Sequence, residues 1–165
     1  MKNKGMLINN KKVDWQTPPD LVEKLIKIFG EFDLDPACDM PNIPAKVHYT
    51  KAEDGLKQTW NFPNVFLNPP YGHEVKDWMR KASSGEAGRV VCLVFARTDT
   101  DWWHANVDKA SCIMFFKGRL KFVGEGSFTS APCPSCLVIF GKVTVEQIRQ
   151  LMEMGMVLCN MKKGM

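Results

Sequence analysis

Asn68-Pro69-Pro70-Tyr71 is the stretch of this chain whose residue types and spacing carry the most chemistry. Val65-Phe66-Leu67 leads into it with strand character, and two prolines follow the amide. Neither proline donates to a β-ladder, and each pushes the residue before it away from helical geometry. The strand is therefore predicted to end at about Asn68, on a stiff and exposed turn. In an open α/β sheet, ligands bind outside the carboxyl ends of the strands. The Asn68 side-chain oxygen and the Pro69 carbonyl would be two acceptors at fixed separation, matching the two hydrogens of an amino group. An amine on a ring such as adenine is a poor nucleophile, because its lone pair is delocalised. Two acceptors that draw the nitrogen towards tetrahedral geometry localise that pair and stabilise the positive charge that develops on attack. Tyr71 offers a flat face on which the ring can stack. The competing reading is a rigid turn without a ligand, since proline is common in turns.

Two further segments have the right chemistry to sit beside this turn. Phe32-Asp33-Leu34-Asp35 alternates like a strand and runs into Pro36-Ala37-Cys38, which places the Asp35 carboxylate at a strand's carboxyl end. That group suits the ammonium or the ribose hydroxyls of a nucleoside cofactor, although Asp-Pro also starts ordinary turns. No G-x-G-x-x-G run is present, which disfavours a dinucleotide and leaves a phosphate-free cofactor compatible. Trp15-Gln16-Thr17-Pro18 precedes a helix whose predicted cap is Thr17, with Pro18 in its first turn. Trp15 either anchors that cap or walls a ligand at the helix N-terminus. Asp54, in Ala52-Glu53-Asp54-Gly55-Leu56, is a candidate ligand for an adenine amino group.

The elements that must position these residues are readable from periodicity. Leu21, Val22, Leu25, Ile26 and Phe29 recur at helical spacing before Gly30. Lys46 to Thr50 suggests a short strand, and Trp60 is expected in the core. His73 to Ala82 reads as an amphipathic helix. Val90 to Ala96 is the most continuous β-rich run, the pattern of a strand covered on both faces. Arg97 to Asp101 leads into a helix carrying Trp102, Trp103 and His104. Cys112 to Phe116 and Leu120 to Val123 suggest two strands of a hairpin joined at Lys117-Gly118-Arg119. Gly124 to Pro134 reads as a loop, Leu137 to Phe140 as a last short strand, and Thr144 to Met154 as a closing helix with a Thr144/Gln147 capping box. The predicted organisation is an arm over residues 1–12, one domain over 13–155, and a fraying tail over 156–165.

Composition narrows the class. The 165 residues include 22 Lys and Arg against 18 Asp and Glu, a net charge of +4 that permits a polyanion partner without requiring one. No apolar run reaches membrane-spanning length, so a soluble, cytoplasmic protein is expected. The six cysteines are expected to be reduced. Cys133-Pro134-Ser135-Cys136 has zinc-like spacing but lacks a second pair, so no metal is expected.

Taken together, these residues resemble the phage and prophage Dam-type DNA N6-adenine methyltransferases. The similarity rests on Trp15-Gln16-Thr17-Pro18, Leu34-Asp35-Pro36-Ala37-Cys38, Asp54-Gly55-Leu56 with Trp60, and Asn68-Pro69-Pro70-Tyr71-Gly72. It continues through Ala96-Arg97-Thr98-Asp99-Thr100 with Trp103-His104, Gly118-Arg119-Leu120 with Phe122, and Ala131-Pro132, spanning roughly residues 14 to 141. The resemblance implies a Rossmann-like α/β methyltransferase fold, mostly parallel with a C-terminal antiparallel hairpin. It also implies S-adenosylmethionine as cofactor and adenine in double-stranded DNA as acceptor. By similarity, Asp35, Pro36, Ala37 and Cys38 line the cofactor pocket, Trp15, Thr17 and Pro18 help close it, and Asp54 faces an adenine ring. Asn68, Pro69, Pro70 and Tyr71 would hold the target base. The glycine-rich turn common among methyltransferases is replaced here by Asp35-Pro36-Ala37-Cys38. At this length the loops must read the DNA, with Arg97, Arg119 and Lys121 as candidates for phosphates or base edges. Other amino nitrogens (cytosine N4, RNA, a glutamine amide) and a catalytically silent DNA-binding module are the rival readings.

Overall fold

The structure, a computed structural model, describes residues 16–39, 41–124 and 127–160. The predicted arm and Trp15 lie outside the described residues. A seven-stranded sheet in the order β2-β1-β3-β4-β8-β5-β9 forms the middle layer. Its strands are β1 (Phe32–Asp35), β2 (Ala45–His48), β3 (Val65–Leu67), β4 (Arg89–Phe95), β5 (Cys112–Phe116), β8 (Ser135–Gly141) and β9 (Gly155–Cys159). β2, β1, β3 and β4 are mutually parallel. β8 runs antiparallel to both β4 and β5, and β9 antiparallel to β5. Strands β6 (Lys121–Gly124) and β7 (Ser127–Ser130) form a separate antiparallel ribbon.

Side chains alternate across the sheet, and each face is covered. Phe66, Val91, Leu93, Met114, Leu137 and Ile139 pack with α1 (Pro19–Phe29) and Leu151 of α4 (Val145–Met152). Val65, Leu67, Val90, Cys92, Val94 and Val138 pack on the other side with Trp60, with Trp78 and Met79 of α2 (Val75–Ala82) and with Trp103 of α3 (Asp101–Asn106). Burial on both faces is why β4 and β8 read as unbroken apolar runs. No helix among the described residues is long and apolar enough to cross a membrane.

The strand order creates a switch point. From β1 the chain steps outward to β2, then returns past β1 to lay down β3 and β4. Connections therefore leave β1 and β3 in opposite directions, which opens a crevice at their carboxyl ends. Asp35 closes β1, and Asn68 follows the last residue of β3.

Several sequence expectations change. Thr17 is not the helix cap; Pro18 holds that position, no side chain caps it, and the backbone N–H groups of Leu21 and Val22 reach the Pro18 carbonyl. The expected hairpin between Cys112–Phe116 and Leu120–Val123 is absent, because β5 lies inside the main sheet and β6 pairs with β7. β7 occupies the segment read as a loop, where Gly, Ser and Pro masked a short strand. The tail expected to fray from residue 156 instead contains β9, aligned with every residue of β5. The Thr144/Gln147 capping box is present as expected, and the Gln147 amide also donates to the Ile28 carbonyl at 3.0 Å.

Candidate active site

The acceptor turn lies where the prolines end β3. Asn68 is half-buried, and its Nδ2 donates to the Thr17 hydroxyl at 3.3 Å. Its Oδ1 accepts from the Tyr71 hydroxyl at 3.1 Å. Pro69 is buried, and its carbonyl makes no hydrogen bond among the described residues. Both expected acceptors are therefore on one stiff turn, one of them engaged by Tyr71 and one open. An amide oxygen has two lone pairs, so Oδ1 can accept a second hydrogen while it keeps Tyr71.

The expectation that Tyr71 offers a bare ring needs correction. Tyr71 stacks on Phe95, with centroids 4.0 Å apart and planes at 20°. Phe122 meets Tyr71 edge-on at 6.2 Å and Phe95 edge-on at 6.4 Å. A ligand could stack only on the Tyr71 face turned away from Phe95. Burial, with a smaller contribution from Cys136, holds the Tyr71 hydroxyl well above its usual pKa, so it donates as a neutral phenol.

The ribbon and the strand-like segment ahead of α1 cover this turn together. Gln16 and Val123 exchange two backbone hydrogen bonds, at 3.1 and 3.2 Å. This bridge seats fully buried Phe122 against Tyr71 and holds Thr17, only 2% exposed, against Asn68. A hollow of about 480 Å³ lies at the opposite, amino end of the sheet, lined by residues such as Asn64, Arg89 and Lys142. Among the described residues, Thr17 and Phe122 are thus the groups that cover the acceptor turn.

Asp35 is 5% exposed, and no salt bridge reaches it among the described residues. Its Oδ1 accepts from the Ala37 N–H at 3.2 Å. Burial raises its pKa to about 6, opposed by that hydrogen bond and by His48. Pro36 and Ala37 make the turn after β1, and Cys38 is buried within it. The next loop abuts this turn: a Cβ on Gly55 would collide with the Pro36 carbonyl oxygen. Asp54, beside Gly55, is exposed with φ +55° and pairs with Lys57 at 2.8 Å. That contact holds its carboxyl below the usual range.

The three basic candidates lie at the same end of the sheet with different commitments. Arg97 pairs with Asp99 at 3.3 Å. Arg119 donates to the Ala131 carbonyl at 3.0 Å, tying together the two ends of the ribbon segment. Lys121 is exposed on β6. Sequence reasoning did not assign Phe95, Phe122 or His48 to this region, because each reads locally as an ordinary strand residue. It also missed Ser135, whose buried hydroxyl has no hydrogen-bond partner among the described residues and which pairs with Phe95 across β4 and β8.

Comparison with known proteins gives the same picture. A 58-residue stretch is 34% identical to a protein of Escherichia phage T1 described as "DNA N-6-adenine-methyltransferase". That stretch covers 34% of this chain and 24% of the phage protein, so the match spans about a quarter of the relative's length. The family model for DNA N-6-adenine-methyltransferase (Dam) matches residues 4–158. A match of that extent takes in the acceptor turn, the Asp35 turn and the covering ribbon alike, and the chain belongs to the DNA N-6-adenine-methyltransferase (Dam) family.

Proposed function

We propose that this protein transfers a methyl group from S-adenosylmethionine to the exocyclic amine of adenine in double-stranded DNA, on a Rossmann-like methyltransferase fold of phage or prophage origin. The observation that carries the reading is the pairing of the Asn68 amide oxygen with the unspent Pro69 carbonyl beside the β1–β3 crevice. The residues present also fit the donor. Asp35 is a buried carboxylate that no salt bridge reaches among the described residues, which suits a ligand's ammonium or hydroxyls. When bound, S-adenosylmethionine supplies a methyl group on a positively charged sulfur. Asn68 and Pro69 accept the two amine hydrogens and localise the nitrogen lone pair, which becomes the nucleophile, and the surplus proton of the methylated amine leaves to water. Tyr71 orients Asn68 and stacks the base on its remaining face. The target adenine leaves the duplex, since its amine cannot reach a pocket while paired and stacked. The strap at Gln16–Thr17 and the ribbon move aside to admit it, while Arg97, Lys121 and Arg119 face the DNA. Trp15, Pro18 and Asp54 border the donor in this reading. Incubation with labelled S-adenosylmethionine and DNA, followed by mass spectrometry of the nucleosides, is expected to yield N6-methyl-2′-deoxyadenosine. Label in cytosine, RNA or protein, or in nothing, would sink the assignment.

Two expected outcomes follow at individual residues. Thr17→Val keeps the shape of the side chain but removes the acceptor for Asn68 Nδ2. Turnover should fall roughly tenfold, with donor affinity within a few-fold of the parent, and Thr17→Ser should restore turnover. Loss of donor affinity instead would return Thr17 to a purely pocket-closing role.

Asp35 links function to stability. Its folded pKa of about 6 lies above the ordinary 3.8, so the folded state holds the proton more tightly. That contribution is fully present below pH 3.8 and is lost as pH rises through 6, leaving a cost of about 3 kcal/mol at neutral pH. Asp35→Asn should therefore melt above the parent at pH 7.5, and the gap should close near pH 4. The same variant should bind S-adenosylmethionine at least about tenfold more weakly. Melts at the two pH values and a calorimetric titration check both outcomes.

A further inference from the structure

Carboxylate, thiol and imidazole meet beside the acceptor turn. The ligand atoms of Asp35, Cys38 and His48 all lie within 4.8 Å of one another. Backbone pairing holds the three in place. Asp35 and His48 are directly paired residues of β1 and β2. The Tyr49 N–H donates to the Asp35 carbonyl and the Cys38 N–H to the Tyr49 carbonyl, each at 3.0 Å. His48 Nε2 lies 2.9 Å from the Ile43 carbonyl. A carbonyl can only accept, so Nε2 carries a proton, which leaves Nδ1 as the ring nitrogen able to ligate. Metal-binding histidines are commonly oriented by such a bond from the second ring nitrogen.

The surroundings favour a cation. Asp35 and Cys38 are almost fully buried, and no salt bridge reaches Asp35 among the described residues. Burial pushes the Cys38 thiol up to about 11, and the negative charges of Asp35, Asp39 and Glu53 add to the shift. Those carboxylates oppose a bare thiolate, yet the same negative potential attracts a divalent ion. Half-buried His48 leaves a path from solvent.

We propose that Asp35, Cys38 and His48 form a three-donor site for a thiophilic divalent cation of the zinc class, and that its occupation excludes the methyl donor from Asp35. The exclusion rests on the function proposed above; the metal site does not. Thiolate and imidazole select zinc over magnesium or calcium, and three protein donors leave a fourth position for water. On binding, the Cys38 S–H bond breaks, its proton leaves to solvent, and the sulfur forms the bond to the ion, so affinity rises with pH. The site differs from the one that spacing alone suggests, at Cys133 and Cys136, where Cys136 is buried in β8 opposite Val94.

The test uses the full chain, first stripped with a chelator and then titrated with Co²⁺ as a spectroscopic stand-in for Zn²⁺. One equivalent should bind with a thiolate-to-cobalt charge-transfer band, and Zn²⁺ should displace it. Cys38→Ser should lose the band, His48→Gln should weaken binding at least roughly tenfold, and Cys133→Ser should leave the band intact. Parent protein without the band, or a band that survives Cys38→Ser, would overturn the site. The apparent Kd for S-adenosylmethionine should then rise in proportion to added Zn²⁺. Undiminished donor affinity in Zn²⁺-loaded protein would overturn the exclusion. Failure of metal-free protein to bind the donor would overturn the functional reading and, with it, the exclusion, while the cobalt result stands by itself.

Discussion

Replacing Asn68 with alanine is expected to lower methyl transfer by about 10²–10³-fold while S-adenosylmethionine still binds within a few-fold of the parent. The substitution removes the amide oxygen and leaves Pro69 as a single acceptor, so the amine nitrogen is no longer held by both hydrogens. It also strips the Thr17 and Tyr71 hydroxyls of a shared partner. Asp35 closes a different strand, so donor affinity should change little. Asn68→Asp retains an acceptor for the base and for the Tyr71 hydroxyl but loses the N–H given to Thr17, and should keep more activity than the alanine variant. Single-turnover transfer with a separate donor titration makes the comparison. Unaltered turnover in Asn68→Ala would remove the catalytic role of the turn, and a collapse of donor binding would make the residue structural.

The second large effect is expected from the smallest change, Gly55→Ala. An added methyl would press against the Pro36 carbonyl oxygen and approach the Trp78 ring at 3.2 Å. The Gly55 carbonyl cannot retreat freely, because the Trp60 indole N–H donates to it at 2.8 Å. Trp60 is fully buried and faces Trp78 with centroids 6.0 Å apart. Relief must come from the Asp35-Pro36 turn, since backbone meets backbone there. The expected cost is about 3 kcal/mol. In a chain of this size that is a fall of roughly 10 °C in Tm. Donor affinity should fall with it, because Asp35 moves with Pro36. A melt within a degree of the parent would show that the two loops are less tightly juxtaposed.

Local chemistry explains which parts of this fold the sequence revealed. Asp35-Pro36 and Asn68-Pro69-Pro70 mark where β1 and β3 end because proline removes a donor and fixes its own φ. The capping box at Thr144 and Gln147 was legible for the same reason, since both partners lie within one turn. Features that depend on distant partners were not legible. Thr17 has the residue type of a cap, but its hydroxyl serves Asn68, 51 positions away. Tyr71 looked like an open platform because nothing near it in sequence announces Phe95. β9 has the half-exposed pattern of an edge strand, so Gly155–Cys159 gave no clean alternation. Asp54 was read as a ligand for an adenine amino group, and nothing in that reading announced its ion pair with Lys57, three residues on.

Strand β8 has a consequence for how the molecule is made. It is fully buried along Ser135–Phe140 and sits between β4 and β5, yet it follows both of them in the chain. A nascent chain that has reached residue 134 holds the Asp35 and Asn68 turns but lacks the keystone that joins the two halves of the sheet. β4 and β5 then present unpaired apolar edges, the condition that invites association with other unfinished chains. Joining of the two halves is therefore deferred until β8 has been synthesised, and it depends on pairings between widely separated residues, which form slowly. Yield of folded protein should accordingly respond to expression temperature and to chaperone supply more strongly than equilibrium stability would suggest.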